Sequence, residues 1–492
     1  MLFYTTPFGD PYKPVSYKHY KWNVSDNDKT FREYINGKFI RDLEKIKFQY
    51  SHNKDASTTT GSQKTVSNKV IEVIDTIIGK VSKSDNSIVL KCGNKFKIDN
   101  MFDWLDVNPY ILGMDNRMNI AFNVEGGKIS YGIRPGRPED YVSKSLKTTY
   151  DSTLNNNSYE VKLAREFMDC VYPIPELRDC MIRLLASRFI GGNPDKYVVA
   201  MGGEGDSGKS TMTNVIAEIF GDSSNNGYTS VAPNTIITNK AKAGAANPEQ
   251  AASVNNRILF LHEMSERDEI EADEFKRLSG NDLTFVRFLF TNGRNARPLY
   301  VVFIASNNIP VIRYARSAEE NRLIIFIHVS TFVGADKLPA TVEEQIKQRK
   351  FLKDKFIDIP TIARGLLWII VNEGLRDYIE KGIQIPDIIK DTNRDYWSDK
   401  DIFRIFLNKN MRVVLDDKGE PDKKCKVKVD IAYKRFLSWY TEFYPGAKDI
   451  PNVNLFQKHL AYVLGQKKVV NDFEGVILDS NNAEEEEETA DE

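Results

Sequence analysis

The stretch that most constrains this 492-residue chain is GEGDSGKS, residues 203–210. It follows an apolar run, Tyr197 to Met201, with the composition of a buried strand. It precedes Met212 to Phe220, where apolar residues recur at the helical period. The stretch fits G-x-x-x-x-G-K-[ST], a strand-to-helix turn whose backbone N–H groups surround phosphates, helped by the N-terminus of the helix. We therefore predict a phosphate-binding loop on a parallel α/β sheet; the alternative is a glycine-rich turn that binds nothing.

This loop, called the phosphate loop below, is predicted to bind ATP together with Mg²⁺. Lys209 would reach the outer phosphates, and the hydroxyl of Ser210 would reach the Mg²⁺ ion. The predicted nucleotide-binding residues are Gly203, Glu204, Gly205, Asp206, Ser207, Gly208, Lys209, Ser210 and Thr211.

Two further apolar runs end in polar residues. Ile258 to Leu261 is typical of a strand buried on both faces, and Glu263 falls at its carboxyl end, where ligands bind in open α/β sheets. We predict that Glu263 is the catalytic base and contacts Mg²⁺. Because His262 precedes it instead of a second acid, either Ser210, phosphates and water hold the metal or Glu266 assists.

The third run, Tyr300 to Ala305, ends in SNNIP, and Asn307 is predicted to sense the terminal phosphate and to position water. Taken alone, an acid or an amide at these places also fits a simple strand end. The three motifs in this order along the chain are more specific than any one of them alone.

Together these motifs resemble those of superfamily 3 helicases of the AAA+ type. The shared segments are the phosphate loop, ILFLHE (258–263), LSGND (278–282), RFLF (287–290), SNN (306–308) and NRLIIF (321–326). Flanking segments are similar to poxvirus-type primase-helicases: NPYILG (108–113), RPGRPEDYV (134–142), GLLWIIVNEG (365–374), GIQIP (382–386) and DKDIF (399–403). The resemblance covers about residues 76–475.

The resemblance implies a homo-hexameric ring that translocates along single-stranded or forked DNA. It implies a hairpin in the central channel, and the N-G pair within Phe288 to Pro298 independently favours a hairpin turn. Arg294 would then contact DNA, with Arg287 and Arg297 as weaker candidates. It also implies that Arg322 stabilises the γ-phosphate bound by the adjacent subunit. A surface hairpin and a structural arginine are the alternatives.

The domain organisation is predicted from these motifs and from changes in pattern. The fold class expected is α/β, with a mixed and helical collar domain, an AAA+ P-loop ATPase core and a C-terminal winged-helix module. The predicted units are residues 1–75 (unassigned), 76–192 (collar), 193–335 (core), 336–395 (helical extension), 396–480 (winged helix) and 481–492 (acidic disordered tail). The polar stretch 52–68 is predicted to be a loop.

The winged-helix prediction rests on two amphipathic segments, Asp430 to Tyr440 and Asn454 to Leu460, followed by a hairpin-like Val469 to Leu478. Its candidate phosphate contacts are Lys434, Arg435, Lys458, Lys467 and Lys468, although such modules also bind proteins.

Charge and cysteine usage narrow the function classes. The net charge is −1, but seven acids lie among the last nine residues, and without them it would be +6. The four cysteines show no C-x-x-C spacing, so neither a zinc ribbon nor a disulfide framework is expected. No apolar run approaches the length of a membrane span, so we expect no membrane partner and a location in the host-cell cytoplasm or nucleus.

The function predicted is an ATP-driven, ring-forming DNA helicase of viral or mobile-element replication. One alternative is a non-unwinding AAA+ assembly or loading ATPase, and another is a P-loop kinase for a small molecule. RNA instead of DNA as the track stays an open alternative.

The acids Asp26 and Asp28 lie in a polar stretch, so we expect no primase activity on this chain. We expect the primase domain to be separate or missing here, and other replication proteins to be partners.

Overall fold

The computed structural model describes residues 2–8, 10–18, 21–24, 40–55, 61–82, 105–115, 117–240, 245–265, 267–288, 293–446, 450–467 and 469–479. Asp26, Asp28, Glu266, Lys468 and the acidic tail lie outside these residues.

The N-terminal part contains an antiparallel sheet and two helices. The strands, paired in chain order, are β1 (Leu2–Phe8), β2 (Asp10–Lys18) and β3 (Lys21–Val24). The helices are α1 (Ile40–Asp55) and α2 (Gly61–Ser82). The predicted loop over 52–68 is therefore wrong at 52–55 and 61–68, while 56–60 lie outside the described residues. Its hydroxyl side chains are compatible with a helix: Thr65 Oγ1 donates to the carbonyl of Gly61, four residues earlier, at 3.0 Å.

A second antiparallel sheet and two helices precede the core. The sheet consists of β4 (Ile111–Gly113), β5 (Met118–Glu125) and β6 (Lys128–Pro135), in that order. The helices are α3 (Tyr159–Val171) and α4 (Pro175–Ser187).

The central element is a five-stranded parallel sheet, as the sequence predicted. Its strands are β7 (Val198–Gly202), β8 (Thr229–Val231), β9 (Ile258–His262), β13 (Val301–Ala305) and β15 (Leu323–Ile327). Their order is β15-β7-β13-β9-β8. Because the strands are parallel, the carboxyl ends of β7, β13 and β9 share one edge.

Short elements connect these strands. The helices are α5 (Lys209–Phe220), α6 (Thr235–Thr238), α7 (Pro248–Ser253), α8 (Ala272–Ser279) and α9 (Ser317–Glu320). The strand pairs are β10 (Glu269–Glu271) with β14 (Val311–Arg313), and β11 (Thr284–Val286) with β12 (Arg294–Ala296).

Both faces of the sheet are buried. Alternate residues of each strand enter different apolar clusters: Val199 and Met201 enter one, while Val198 and Ala200 enter the other. The first cluster continues through α3, α4 and α5 to Leu112 and Phe122 of the second sheet. The core therefore runs without interruption across residue 192, where a domain limit was predicted.

The segment after β15 is mainly helical but contains a parallel strand pair. The strands are β16 (Thr331–Val333) and β17 (Lys350–Leu352). The helices are α10 (Val342–Gln348), α11 (Ile359–Ile369), α12 (Leu375–Lys381) and α13 (Asp387–Lys400), with a π-helical turn at Ile370–Gly374 between α11 and α12.

The C-terminal part has a separate apolar cluster. It comprises α14 (Ile402–Asn410), β18 (Met411–Val413), β19 (Lys426–Lys428), α15 (Val429–Phe443), α16 (Val453–Val463), β20 (Asp472–Glu474) and β21 (Val476–Leu478). The two predicted helices are present. The hairpin predicted over Val469 to Leu478 is wrong in its pairing. Strand β20 pairs with β19, and β21 pairs with β18. Only Gly475 separates β20 from β21, and one residue is too short a connection for a hairpin turn.

None of the helices in the described ranges is long and apolar enough to cross a membrane.

Candidate nucleotide-binding site

The phosphate loop joins the end of β7 to the start of α5, and two of its glycines are required by the backbone. Gly203 has φ 131°, and a Cβ placed there would lie 2.6 Å from the carbonyl oxygen of His328. Gly208 has φ 86°, and its Cβ would lie 2.8 Å from the ring of Phe332. Side chains at these two positions would meet both backbone strain and a clash.

Lys209 is the first residue of α5, and its side chain folds back over the loop. Its ammonium donates to the carbonyls of Gly203 (2.6 Å) and Glu204 (2.7 Å) and to Ser207 Oγ (3.0 Å). Burial lowers its pKa. A desolvated cation thus lies beside the helix N-terminus, and Ser210, the next residue, is exposed. A lysine, an exposed hydroxyl and a helix N-terminus form a donor set suited to a nucleotide phosphate with Mg²⁺.

Residues far along the chain support the outer side of the loop. Asp206 adopts φ 56°, its carbonyl accepts a bond from Phe332 N at 2.8 Å, and its carboxylate pairs with Lys353 Nζ at 2.7 Å. This ion pair lowers the pKa of Asp206 and raises that of Lys353. No sequence motif marks Phe332 or Lys353, because only the fold brings them to the loop.

Glu263 and Asn307 lie at the same edge of the sheet as the phosphate loop. Glu263, directly after β9, is exposed, and its N–H donates to Ala305 O at 2.9 Å. The carbonyl of Asn307 accepts a bond from Gly203 N at 3.2 Å, so the strand end that carries Asn307 is bonded to the loop itself. Three of the residues predicted to be catalytic, Lys209, Glu263 and Asn307, are thus brought together.

His262 stands where many NTPases have a second acid. It is half-buried and stacks on Phe260, with ring centroids 5.3 Å apart and an interplanar angle of 18°. Burial lowers its pKa, opposed by the charge of Glu263. Among the described residues no group of three or more His, Cys, Asp or Glu side chains could hold a metal ion. Ser210 and Glu263 stay the predicted metal ligands, and Glu266, the alternative, lies outside the described residues.

Arg322, the fourth residue predicted to be catalytic, lies at the opposite edge of the sheet. Its carbonyl accepts a bond from Val198 N (2.7 Å), at the start of β7, whereas the phosphate loop follows the end of β7. The two edges are about 13 Å apart along the strand at 3.3 Å per residue. Nη1 of Arg322 donates to Lys276 O and Ser279 Oγ, both at 3.0 Å.

The predicted strand–turn–strand is present in part: β11 and β12 pair antiparallel, but both begin earlier than the strands predicted at Phe288 to Phe290 and Ala296 to Pro298. Strand β11 ends at Val286, opposite Arg294, and residues 289–292, including the N-G pair's Asn292, lie outside the described residues. The backbone of Arg287 is anchored through its N–H to Asn247 Oδ1 at 2.7 Å. The guanidinium of Arg297 donates to Asn281 O at the base of the hairpin.

The cationic residues predicted in the C-terminal part lie on its helices and on the loop after them. Lys434, Lys458 and Lys467 are exposed, and Arg435 Nε donates to Asn410 Oδ1 at 3.2 Å.

Comparison with known proteins gives a consistent set of relatives. A search against protein-family models found no match. Three viral proteins, each named "Putative helicase", are similar to this chain: 121R of Invertebrate iridescent virus 3, 184R of Invertebrate iridescent virus 6 and L207/L206 of Acanthamoeba polyphaga mimivirus. Their identities are 26%, 25% and 22%, over 74%, 84% and 89% of this chain. The chain spans only 38–44% of their lengths.

Among solved structures, the apo C-terminal region of NrS-1 overlaps 76% of this chain and 99% of its own, at 10% identity and a TM-score of 0.32. A score this low carries no argument. The similarity to helicases therefore rests on the sequence relatives, while the site geometry rests on this fold alone.

Proposed function

We propose that this chain is the ATPase part of an ATP-driven DNA helicase of the superfamily 3, AAA+ type. The observation that carries the proposal is the meeting of Lys209, Glu263 and Asn307 at one edge of a parallel sheet, beside a glycine-dependent phosphate loop. Mg²⁺ with the nucleotide would supply the charge neutralisation that phosphoryl transfer needs.

Each residue has a separate role in the proposal. The Lys209 ammonium exchanges its loop carbonyls for phosphate oxygens, and the Ser210 hydroxyl faces the metal. Glu263 accepts a proton from the attacking water, and the amide of Asn307 orients that water. Positioning and electrostatic stabilisation supply most of the rate in such reactions, so the rigid strand ends matter as much as the groups they carry.

The proposed assembly is a homo-hexamer around single-stranded DNA. The relatives named as viral helicases support a helicase function, but the chain spans less than half of their lengths. The hexamer, the DNA track, a primase on a separate or additional domain and other replication partners are thus part of the proposal. A collar over 76–192 and a winged-helix role for the C-terminal part are also part of the proposal. The helices α15 and α16 support the winged-helix role, whereas β20 and β21 do not form the hairpin expected of its wing.

The decisive experiment combines two measurements on the full chain. ATP hydrolysis is measured with and without single-stranded DNA, and displacement of a labelled strand from a forked duplex is measured under the same conditions. DNA-stimulated hydrolysis with strand displacement, and six-fold rings in particle images, are the expected results. ATP-dependent assembly on DNA with no displacement would instead indicate a loading ATPase. Phosphate transfer to a small molecule would indicate a kinase.

A further inference from the structure

His328, which no motif singles out, lies directly beneath the phosphate loop. It follows β15, and its backbone N–H donates to Gly202 O at 2.8 Å, so its position is fixed by the same ladder that aligns β15 with β7. Its carbonyl is the atom that excludes a side chain at Gly203. The imidazole is 3% exposed and makes two polar contacts. Nδ1 lies 3.3 Å from the carbonyl oxygen of Ser207, and Nε2 lies 3.1 Å from the hydroxyl of Tyr172.

The chemistry of the partners assigns the tautomer. A carbonyl oxygen only accepts hydrogen bonds, so Nδ1 must carry the proton that bonds Ser207 O. A neutral imidazole then presents a lone pair at Nε2, which accepts from the Tyr172 hydroxyl. Burial lowers the pKa of His328 to about 3, so the ring is neutral at physiological pH. Tyr172 is itself fully buried and packs edge-on to Phe326, which holds its hydroxyl in place.

The Ser207 carbonyl belongs to the peptide unit that precedes Gly208. In a planar trans peptide the C=O and the next N–H point in opposite directions. A bond that draws the Ser207 carbonyl toward the protein interior therefore turns the Gly208 N–H outward, toward the side where a phosphate would lie. The side chain of the same residue is also bonded within the loop, since Ser207 Oγ accepts from Lys209 Nζ.

We propose that His328 is a positioning residue for the phosphate loop: its Nδ1–H holds the Ser207 carbonyl so that the loop is preorganised for a nucleoside triphosphate, and the Tyr172 hydroxyl fixes the required tautomer. This inference rests on the proposed ATP binding. Preorganisation of this kind removes a reorganisation cost from binding, so its loss raises the dissociation constant more than it slows the chemical step at saturation.

Two amide variants separate this role from simple packing. The amide of His328→Asn ends near the position of Nδ1 and keeps a donor for Ser207 O, whereas the amide of His328→Gln ends near Nε2 and does not. Binding of a fluorescent MgADP, kcat and KM for ATP, and thermal unfolding are measured for both. We expect His328→Gln to raise the ADP Kd and the ATP KM roughly tenfold, the loss of about one hydrogen bond. His328→Asn should stay within about threefold of wild type, with kcat nearly unchanged in both.

Tyr172→Phe provides a second test that does not depend on the folding of His328→Gln. It removes the tautomer control, and we expect it to raise the ADP Kd by about threefold without lowering kcat. The inference is overturned if His328→Gln binds ADP as tightly as wild type, if the Asn and Gln variants lose binding equally, or if a folded Tyr172→Phe leaves the Kd unchanged. Wild-type protein that binds no nucleotide would instead overturn the proposed function.

Discussion

At the scale of single residues, Glu263 combines an exposed carboxylate with an uncommon backbone. Its φ of 50° lies in the left-handed region, which costs a non-glycine residue on the order of 1 kcal/mol. The bond from its N–H to Ala305 O holds that conformation. Such strain is often found where a side chain must be aimed at a ligand, and here it aims the carboxylate away from the buried end of β9.

We predict that Glu263→Gln retains nucleotide binding and lowers the rate of ATP turnover by roughly a hundredfold or more, because the amide cannot accept the proton of the attacking water. Phosphate release and MgADP binding are the measurements. Lys209→Ala is the comparison variant and should abolish hydrolysis. Turnover at the wild-type rate in Glu263→Gln would show that another group is the base.

At the scale of elements, the β11–β12 hairpin is bonded to the segment before α7. Asn247 Oδ1 accepts a hydrogen bond from the N–H of Arg287, and Asn247 Nδ2 donates to Phe285 O at 3.1 Å. These two bonds join the first strand to the segment before α7. Phe285 on β11 is 49% exposed, and Leu283, directly before β11, is 64% exposed. An anchored hairpin with exposed apolar and cationic residues suits the proposed contact with a DNA strand.

The hairpin prediction concerns Arg294. We expect Arg294→Ala to keep basal ATP hydrolysis, to weaken stimulation by single-stranded DNA, and to reduce the slope of log K against log salt by about 1. Arg394→Ala is a matched control, since Arg394 is exposed on α13 and pairs with Asp391. Full stimulation of the Arg294 variant by DNA would exclude the hairpin as the element that grips the strand.

The C-terminal part contains a buried histidine that links its stability to pH. His459 stacks on Phe403, with ring centroids 5.1 Å apart and an interplanar angle of 14°. Burial lowers its pKa from 6.5 to about 4; the charges of Arg316 and Lys458 act in the same direction, and a bond to the backbone of Ala315 opposes them. Below pH 6.5 the unfolded chain takes up a proton that the folded chain does not, so stability falls as the pH drops from 6.5 to about 4.

We therefore predict that wild-type protein loses about 2 kcal/mol more folding free energy between pH 7 and pH 5 than His459→Gln does, because the amide does not titrate. Denaturant unfolding of both proteins at the two pH values measures the difference. Other titrating groups cancel in this comparison. If the two proteins show parallel pH dependences, His459 titrates in the folded protein with an ordinary histidine pKa.

At the scale of the whole molecule, Arg322 and the phosphate loop lie at opposite edges of one sheet. Arg322 is adjacent to the start of β7, and the loop follows its end. Within one subunit the arginine is therefore too far from the loop to contact a bound phosphate. In the proposed ring, we expect this arginine to face the phosphate loop of a neighbouring subunit, and such a finger contributes roughly 10³ to 10⁵ in rate in well-measured NTPases. The bonds from Arg322 to Lys276 O and Ser279 Oγ are the structural alternative.

Subunit mixing tests this arrangement. Arg322→Ala and Lys209→Ala are each expected to be inactive, and mixed rings of the two should partly recover hydrolysis, because some interfaces pair an intact arginine with an intact phosphate loop. Mass measurement of the mixed rings is the control for exchange. A monomer that hydrolyses ATP at the full rate would show that Arg322 does not act between subunits.

The sequence by itself determined the elements whose rules are local. The stretch GEGDSGKS, between a strand-like and a helix-like run, predicted the phosphate loop. The loop depends only on neighbouring residues, because its glycines and the helix N-terminus follow one another in the sequence. The apolar runs ending in Glu263 and Asn307 predicted strands buried on both faces, and the two C-terminal helices followed from their 3.6-residue period.

The tertiary structure decided what depends on partners distant in the chain. The polar stretch 52–68 is helical at its described residues, 52–55 and 61–68, since serine and threonine are compatible with a helix when their hydroxyls bond the preceding turn. Strands β20 and β21 pair with β19 and β18, a choice that sequence periodicity does not encode. His328 reaches the phosphate loop because β15 lies beside β7. Tyr172, directly after α3, contacts His328, and Lys353, directly after β17, pairs with Asp206 of the loop. Local patterns specify elements, and packing between distant elements specifies which side chains surround a site.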